Sequence, residues 1–192
     1  MFSHRLNNDC SLRQLALSDT DELFAVCDAN RAHLRRWLPW LDRTTRAEDT
    51  RTFIESCIRQ HDGNQGFQAL ILVKGRIAGL VGYHRIDWSN RSTSLGYWLA
   101  EEYQGRGLMT ASCRVLVDHA FAALNLHRIA ISCAPANARS RAIPQRLGFV
   151  YEGRLRDVEW LYNHHVDHDV YAQLQREWQA LWIARKRGAV KK

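Results

Sequence analysis

The chain has 192 residues, a length typical of a single domain, and 46% of them are apolar. With seven Trp, six Tyr and six Phe, this is enough apolar material for a buried core, which excludes a disordered chain. No apolar run approaches the roughly 18 residues of a membrane span, and the polar residues 1–9 lack the apolar stretch of a secretory signal. We therefore expect a cytoplasmic protein without a membrane partner.

The five cysteines are an odd number, are widely spaced and contain no Cys-x-x-Cys pair. This distribution fits a reducing compartment and is unlike a disulfide framework or a structural zinc site. We interpret most of them as small buried apolar side chains. They are Cys10, Cys27, Cys57, Cys113 and Cys133.

The net charge of +7 is concentrated at the C-terminus, so the rest of the chain is nearly balanced. A basic tail either contacts RNA or acidic proteins or is a solvated end that keeps the protein soluble. The balanced body favours the solvated end, and we do not expect nucleic acid as a partner apart from contacts of the tail. The basic residues of the tail are Arg185, Lys186, Arg187, Lys191 and Lys192.

In chain order, the first part of the sequence predicts one strand followed by helices. Residues 11–17 alternate apolar and polar side chains, as a half-buried strand does. Asp19 with Glu22 three positions later is typical of a helix start, and residues 45–48 (Thr-Arg-Ala-Glu) match a capping box. The predicted elements are a strand at 11–17, a helix from about 18 to 30, a short helical piece at 33–37 and a helix from 45 to about 63.

A proline-containing apolar loop interrupts these helices. Residues 37–41 have the sequence Trp-Leu-Pro-Trp-Leu, and Pro39 disfavours helical geometry at Leu38. Large apolar residues in such a loop either cap the core or line a pocket.

The second part of the chain changes to a strand-rich pattern. Two β-rich runs flank residues 74–76 (Lys-Gly-Arg), a hairpin signal, and Gly148 is the expected C-terminal cap of a helix. The order contains no internal repeat and no linker, so it predicts a single α/β (α+β) domain, residues 1–192, with a mixed sheet. The predicted strands are 67–73, 77–86, 92–99, 128–133, 149–160 and 169–174, and the predicted helices are 107–124, 139–147 and 175–185.

The most informative segment joins the strand at 92–99 to the long helix that follows it. The first amides of a helix have no internal partner, and the helix dipole adds partial positive charge there. With Gly105 and Gly107 just before the helix, a phosphate can approach the backbone closely, so the segment predicts a pyrophosphate site. It does not match the P-loop pattern G-x-x-x-x-G-K-S/T. It begins like G-x-G-x-x-G, but Thr110 holds the sixth position and no acidic residue ends a strand about 20 positions on, which weakens a Rossmann interpretation.

The same segment, with Gln104 three positions before Gly107, resembles the acetyl-CoA loop of the GNAT N-acetyltransferases, whose pattern is Q/R-x-x-G-x-G/A. Here Met109 replaces the last small residue. Residues 137–140 (Asn-Ala-Arg-Ser), followed by 147–149 (Leu-Gly-Phe), resemble the second CoA segment of that family. Residues 30–31, 37–40 and 96–99 look like its RimL-type group, which includes the ribosomal-protein serine N-terminal acetyltransferase. The resemblance covers residues 11–175, and the tail, 176–192, lies outside it.

This resemblance implies a GNAT-type domain whose mixed, mostly antiparallel sheet of about seven strands is flanked by helices. It also implies acetyl-CoA as cosubstrate and no metal. The amides of residues 105–110 hold the pyrophosphate, and free backbone groups near Trp98 pair with the pantetheine arm. Asn137 either reaches the pantetheine or only starts a helix. The implied cofactor-binding residues are Trp98, Leu99, Gln104, Gly105, Arg106, Gly107, Leu108, Met109, Thr110, Asn137 and Ser140.

Two residues match the catalytic positions of the RimL-type group. Glu159 matches the general base, and Ser140 matches the acid that protonates the leaving thiolate. The alternatives are an exposed strand residue for Glu159 and a helix cap for Ser140. Three tryptophans either wall the acceptor tunnel or simply belong to the core, namely Trp37, Trp40 and Trp160.

Residues 163–169 (Asn-His-His-Val-Asp-His-Asp) contain the side-chain types that bind metals. They also fit a polar hairpin between two strands, in which alternation points His165 and His168 to opposite faces. We therefore interpret the segment as a solvated turn beside the acceptor site and expect no metal ion.

The sequence thus predicts an acetyl-CoA-dependent N-acetyltransferase that acts by direct attack in a ternary complex, since no cysteine lies in the CoA loop. The acceptor implied by the resemblance is a protein N-terminus, and the assembly it implies is a homodimer. An α-amine is easier to deprotonate than a lysine amine by about 3 kcal/mol. Three alternatives stay open at this point: a small-amine acceptor such as a polyamine, a non-catalytic acyl-CoA-binding protein, and a nucleic-acid binder that uses the tail. A polyamine tunnel needs many carboxylates, and the candidates are Glu101, Glu102, Glu152 and Glu159.

Overall fold

A computed structural model describes residues 2–189, in which eight strands form one sheet of order β1-β2-β3-β4-β5-β6-β8-β7. Neighbouring strands are antiparallel except for the β5–β6 pair, which is parallel. The predicted mixed, mostly antiparallel α/β architecture is confirmed. The strands are β1 Ser3–Arg5, β2 Cys10–Gln14, β3 Gln68–Val73, β4 Arg76–Tyr83, β5 Ser92–Leu99, β6 Arg128–Cys133, β7 Val150–Leu161 and β8 His164–Leu174.

Six α-helices cover the two faces of this sheet within the described residues. Short 3-10 turns accompany them at Leu17–Asp19, Leu41–Arg43 and Glu101–Tyr103. None of these helices, between residues 2 and 189, combines the length and apolar character that a membrane crossing requires. The helices are α1 Thr20–Ala29, α2 Arg31–Leu34, α3 Ala47–Asp62, α4 Leu108–Ala122, α5 Ala138–Leu147 and α6 Gln175–Ala189.

The largest differences from the sequence prediction concern two strands, while β2 and β4 end three residues earlier than predicted, at Gln14 and Tyr83. The additional strand, β1, is short and exposed, so it carries no alternating apolar signal. The last strand, β8, begins at His164 rather than at residue 169, because the preceding turn needs only Tyr162 and Asn163. Tyr162 adopts a φ of 59°, which reverses the chain within these two residues. The predicted polar turn at 163–169 is therefore mostly strand.

The sheet separates two apolar layers, and β5 contributes to both of them. Leu99 packs with α4 residues such as Leu116, whereas Trp98 packs with Leu23 of α1 and Ile54 of α3. Successive side chains of a strand point to opposite faces, so this alternation assigns α4 to one face of the sheet and α1 with α3 to the other.

The start of α3 differs by one position from the predicted capping box. Arg46 is extended, with φ −148° and ψ 161°, and the helix begins at Ala47. This places Asp49, rather than Glu48, at the third helical position. The Asp49 carboxylate accepts hydrogen bonds from the backbone amides of Thr45 (2.9 Å) and Arg46 (3.1 Å), as a capping acid does.

The predicted tail begins as a packed helix. In α6, Trp178 is buried against Phe121, and its indole nitrogen donates to Asp118 Oδ1 at 2.6 Å. Arg185 forms an ion pair of 3.0 Å with the same carboxylate. Trp178 and Arg185 therefore join this helix to α4, whereas Lys186 and Arg187 are exposed, as expected for a solvated end, and Lys191 and Lys192 lie outside the described residues.

A buried carboxylate joins α5 to the β7–β8 hairpin. Asp169 of β8 is fully buried, and its oxygens lie 2.8 Å from Arg154 Nε of β7 and 3.0 Å from Arg141 Nε of α5. The hydrogen bond from Arg154 and the charge of Arg141 hold the pKa of Asp169 below its ordinary value. The ionised carboxylate thereby stabilises the fold at neutral pH.

Replacing Asp169 with Asn should lower the free energy of unfolding at pH 7 by about 2 kcal/mol, because two arginines lose their counter-charge. A carboxylate with a depressed pKa stabilises the protein above its unfolded pKa of about 3.9, and that contribution is lost as the pH falls through the folded value. The difference between wild type and variant should therefore narrow below pH 4. Urea denaturation at pH 7 and pH 3 measures this, with Asp62→Asn at the exposed end of α3 as the control. A difference in the free energy of unfolding that is the same at pH 7 and pH 3 would contradict the role of the ionised Asp169 carboxylate.

Candidate active site

A wedge-shaped cleft opens where β5 and β6 stop pairing. The two strands pair only from Ser92–Arg128 to Ser94–Ala130, whereas β6 continues to pair with β8 as far as Cys133. Beyond Ser94, along the described strands, the edge of β5 that faces β6 has no ladder partner, while its other edge pairs with β4 as far as Leu99. A cleft of about 2110 Å³ is lined by residues from both strands.

The glycine loop forms one end of this cleft. Gly105 and Gly107 both have φ of 74°, and a Cβ atom placed at either would meet no atom within 4 Å. Leu108 and Met109 are buried in the core at the start of α4, which anchors the loop. The first amides of α4, including that of Thr110, have no helical partner and can bind an anion.

Side chains from two other helices hold this loop. The Gln104 amide donates to His33 Nε2 of α2 at 2.7 Å, and its carbonyl accepts from Arg139 of α5. Asn30 Oδ1 accepts from the backbone amide of Glu101 at 2.9 Å. Arg106, by contrast, donates to the carbonyl of Glu102 at 2.8 Å and stays on the exposed side of the loop. No local signal in the sequence pointed to His33, which is 71 residues away from Gln104.

A serine–tyrosine pair lies along the wedge. Ser140 Oγ donates to Tyr97 Oη at 3.2 Å, and Tyr97 Oη in turn lies 3.2 Å from the carbonyl oxygen of Ser140. Burial raises the pKa of Tyr97 well above its ordinary value, so the hydroxyl stays protonated. Asn137 Oδ1 accepts from the amide of Ser140 at 3.1 Å and caps α5, which is the helix-start role considered for it. Tyr97 was not selected from the sequence, although its motif was.

A carboxylate–imidazole pair lies on the wall formed by the β7–β8 hairpin. Glu159 is half-buried, and its Oε2 lies 3.3 Å from His168 Nε2. Glu159 is registered against Val166, so His168 is its diagonal neighbour on the same face of the hairpin. The sequence assigned Glu159 to the site but placed His168 in a turn.

Two of the three selected tryptophans lie in the cleft. Trp37 and Trp40 line it, and the Trp40 ring lies 6.5 Å from that of Trp98. The predicted placement of Trp160 is wrong. That side chain is 54% exposed and packs edge-on against His165, because its neighbour Glu159 faces the cleft and successive residues of a strand alternate.

The cysteines are all buried and free. Cys133, at the end of β6, lines the cleft, and burial raises the pKa of its thiol to about 11. The thiol is therefore neutral at physiological pH and a poor nucleophile. Within residues 2–189, no group of three or more His, Cys, Asp or Glu side chains is arranged to hold a metal ion.

Residues 10–150 match the family model described as the acetyltransferase (GNAT) domain. The chain belongs to this family. It is 36% identical over 180 residues to the putative ribosomal N-acetyltransferase YdaF of Bacillus subtilis, covering 93% of this chain and 98% of the relative. It is 26% identical to the ribosomal-protein-serine acetyltransferase of Escherichia coli, covering 88% and 95%. This GNAT chain is therefore an acetyltransferase, as its sequence predicted.

Solved structures agree with the sequence relatives. RimL, a ribosomal L7/L12 α-N-protein acetyltransferase solved with coenzyme A, superimposes with a TM-score of 0.87 at 28% identity, covering 90% of this chain and 98% of RimL. The microcin C7 self-immunity acetyltransferase MccE, solved with acetyl-CoA and AMP, gives 0.84 at 27% identity, covering 88% and 94%. Neighbours of this acetyltransferase thus bind CoA or acetyl-CoA on the same fold.

The Cys133 thiol should resist alkylation at neutral pH although it lines the cleft. At pH 8 its reaction with iodoacetamide should be roughly 100-fold slower than that of a peptide thiol, and the rate should rise as the pH approaches 11. Peptide-resolved mass spectrometry measures this rate, and urea-unfolded protein, in which all five cysteines react freely, is the control. Rapid alkylation of native Cys133 at pH 7 would contradict the buried, protonated state.

Proposed function

We propose that this enzyme transfers the acetyl group of acetyl-CoA to the α-amine at the N-terminus of a protein. The observation that carries the proposal is the wedge itself, which has the glycine loop at one end and the Glu159–His168 pair on a separate wall. Such a cleft accommodates a donor and an acceptor at once. The relatives named for ribosomal proteins match about nine-tenths of the chain, whereas the Escherichia coli spermidine N(1)-acetyltransferase matches 42% of it.

The residues of the wedge fit acetyl-CoA. The open space at Gly105 and Gly107 admits a pyrophosphate to the amides at the start of α4. The free edge of β5, near Trp98 and Leu99, offers backbone groups to the amide-containing pantetheine arm. When bound, acetyl-CoA supplies the activated acetyl thioester. The buried side chains of Leu108 and Met109 keep the loop in place while its amides face the cleft.

The Glu159–His168 pair acts as a base, and the Ser140–Tyr97 pair acts as an acid. Glu159 accepts a proton from the acceptor amine, directly or through water, and His168 fixes the orientation of its carboxylate. Ser140 Oγ, which is hydrogen-bonded to the protonated Tyr97 hydroxyl, donates a proton to the leaving CoA thiolate. Burial raises the pKa of Cys133 to about 11, so its thiol is predominantly protonated at neutral pH, which supports direct attack in a ternary complex.

The chemistry of the acceptor favours an α-amine. An α-amine has a pKa near 8, so about a tenth of it is neutral at pH 7, whereas a lysine amine is about 3 kcal/mol harder to deprotonate. A single carboxylate such as Glu159 therefore suffices as the base for an N-terminus. The lining residues of the described chain include only two carboxylates, Glu101 and Glu159, which is few for a polyamine tunnel.

We also propose a homodimer that works in the cytoplasm. The edge strand β7 supports the dimer, because several of its apolar side chains are exposed and an unprotected edge of this kind is commonly covered by another chain. These side chains are Val150, Tyr151, Leu155, Val158 and Trp160.

The acceptor is tested with one mixture of Ser-first and Ala-first peptides and spermidine, incubated with enzyme and acetyl-CoA and resolved by mass spectrometry. A single acetyl group should appear on the peptide N-terminus. Peptides with a blocked N-terminus and an internal lysine are the control and should stay unmodified. Glu159→Gln should lower kcat by at least about tenfold with little change in acetyl-CoA affinity. Acetylated spermidine with unmodified peptides would contradict the proposal.

Replacing Gly107 with Val should lower acetyl-CoA affinity by at least about tenfold, because the side chain fills the space where the pyrophosphate meets the backbone. Gly75→Val is a matched control, since Gly75 has φ of 79° and equally open surroundings in the β3–β4 turn, away from the cleft. Both variants carry the same left-handed backbone strain of roughly 1–2 kcal/mol. Isothermal titration calorimetry measures the acetyl-CoA affinity of each variant. Equal affinities of the two variants would show that the glycine loop is not part of the binding site.

A further inference from the structure

The arginines of the cleft differ from most other arginines of the domain. Ten arginines elsewhere form ion pairs, for example Arg13 with Asp19 and Arg154 with Asp169. Within residues 2–189, none of the arginines that line the cleft has a carboxylate within ion-pair distance. The cleft therefore presents an excess of positive charge, although Arg85 lies near enough to Asp87 for its charge to lower the pKa of that carboxylate. Its arginines are Arg36, Arg43, Arg85, Arg114, Arg139 and Arg146.

These six arginines divide by the elements that carry them. Arg114 lies on α4, and Arg139 and Arg146 lie on α5, the two helices beside the glycine loop. The phosphates of the donor account for this group. The second group, Arg36, Arg43 and Arg85, lies before β5 in the chain and is not explained by the donor.

Two arginines of the second group lie beside Trp37 and Trp40, the tryptophans that line the cleft. Arg36 follows α2 and lies 5.5 Å from the Trp37 ring. Arg43 follows Trp40 in the turn before α3, and Arg85 follows β4 next to His84, whose ring lies against Gly96. All three side chains are exposed to the cleft, so an incoming molecule can reach them.

Few negative groups oppose this charge. The two lining carboxylates already have imidazole neighbours, since Glu101 lies 4.0 Å from His33 and Glu159 lies 3.3 Å from His168. Desolvation lowers the pKa of the His84 imidazole, which also lines the cleft. A concave surface with charge of one sign attracts the opposite charge and repels its own.

We propose that the acceptor is an acidic polypeptide segment, with Asp or Glu residues within the first several positions after the reacting N-terminus. This inference rests on the proposed function and adds the acceptor's charge to it. RNA is anionic too, but it has no aliphatic primary amine to acetylate, so it fits the charge without fitting the reaction. A polyamine fits the reaction and is repelled by the charge.

The test compares three Ser-first peptides of equal length that carry Glu, Gln or Arg at the same three positions. Arg replaces Lys in the basic peptide so that each peptide has one reactive amine. At low ionic strength kcat/KM should be about tenfold higher for the Glu peptide than for the Gln peptide, and lower again for the Arg peptide. The difference should lie in KM and should shrink as salt is raised.

Charge-reversal variants localise the effect. Arg43→Glu and Arg85→Glu should each lower kcat/KM for the Glu peptide about fivefold and raise it for the Arg peptide, while the KM for acetyl-CoA stays unchanged. Arg59→Glu makes the same charge change on the exposed side of α3, outside the cleft, and should alter neither peptide. A merely structural role of these arginines would lower activity on all peptides alike.

The outcomes separate this inference from the proposed function. Equal kcat/KM for the three peptides, or a preference for the Arg peptide, would overturn the acidic acceptor while peptide acetylation stands. Tight binding of single-stranded RNA that Arg43→Glu abolishes, together with equal acetylation of the peptides, would overturn it in favour of RNA. If no peptide is acetylated by wild type, the proposed function itself fails.

Discussion

The early end of the β5–β6 ladder is the constraint on which the rest of the site depends. Backbone groups inside a protein need hydrogen-bond partners, so a strand edge left without a neighbour must be satisfied by something else. In this domain the edge opens after Ser94, and its free groups face a cleft rather than a closed core. The glycine loop, α5 and the β7–β8 hairpin all border the space that this divergence creates. The candidate site is therefore arranged around a gap in the sheet.

The strand at this gap contributes side chains to both faces of the sheet, so the contacts on its two sides involve different helices. Tyr97 points toward α4 and α5 and meets Ser140, whereas Trp98 points toward α1 and α3 and meets Trp40. One strand thus fixes the relative positions of the donor side and the acceptor side. The packing of large aromatic side chains on each face leaves little freedom for this strand to shift.

The glycine loop was predictable from the sequence because its features are local: two glycines, a helix start and a preceding strand within a short segment. The order of helices and strands also follows from local patterns, and it was enough to predict the mixed α/β architecture. The contacts between Gln104 and His33, and between Tyr97 and Ser140, join residues 71 and 43 positions apart and had no local signal. Trp160 was misplaced because alternation shows which residues of a strand share a face, but not which of the two faces borders the cleft.

The β8 strand carries His168 and Asp169 at adjacent positions on opposite faces. His168 lies 3.3 Å from the Glu159 carboxylate in the candidate site, while Asp169 forms an ion pair with Arg141 of α5, the helix that bears Ser140. Because the side-chain period of a strand is two, a slip of one residue in this hairpin exchanges the faces of both groups at once. The position of the imidazole beside Glu159 and the position of the helix that bears Ser140 are thus set by the same few backbone atoms. A displacement of β8 would therefore change both the contact of His168 with Glu159 and the ion pair of Asp169 with Arg141.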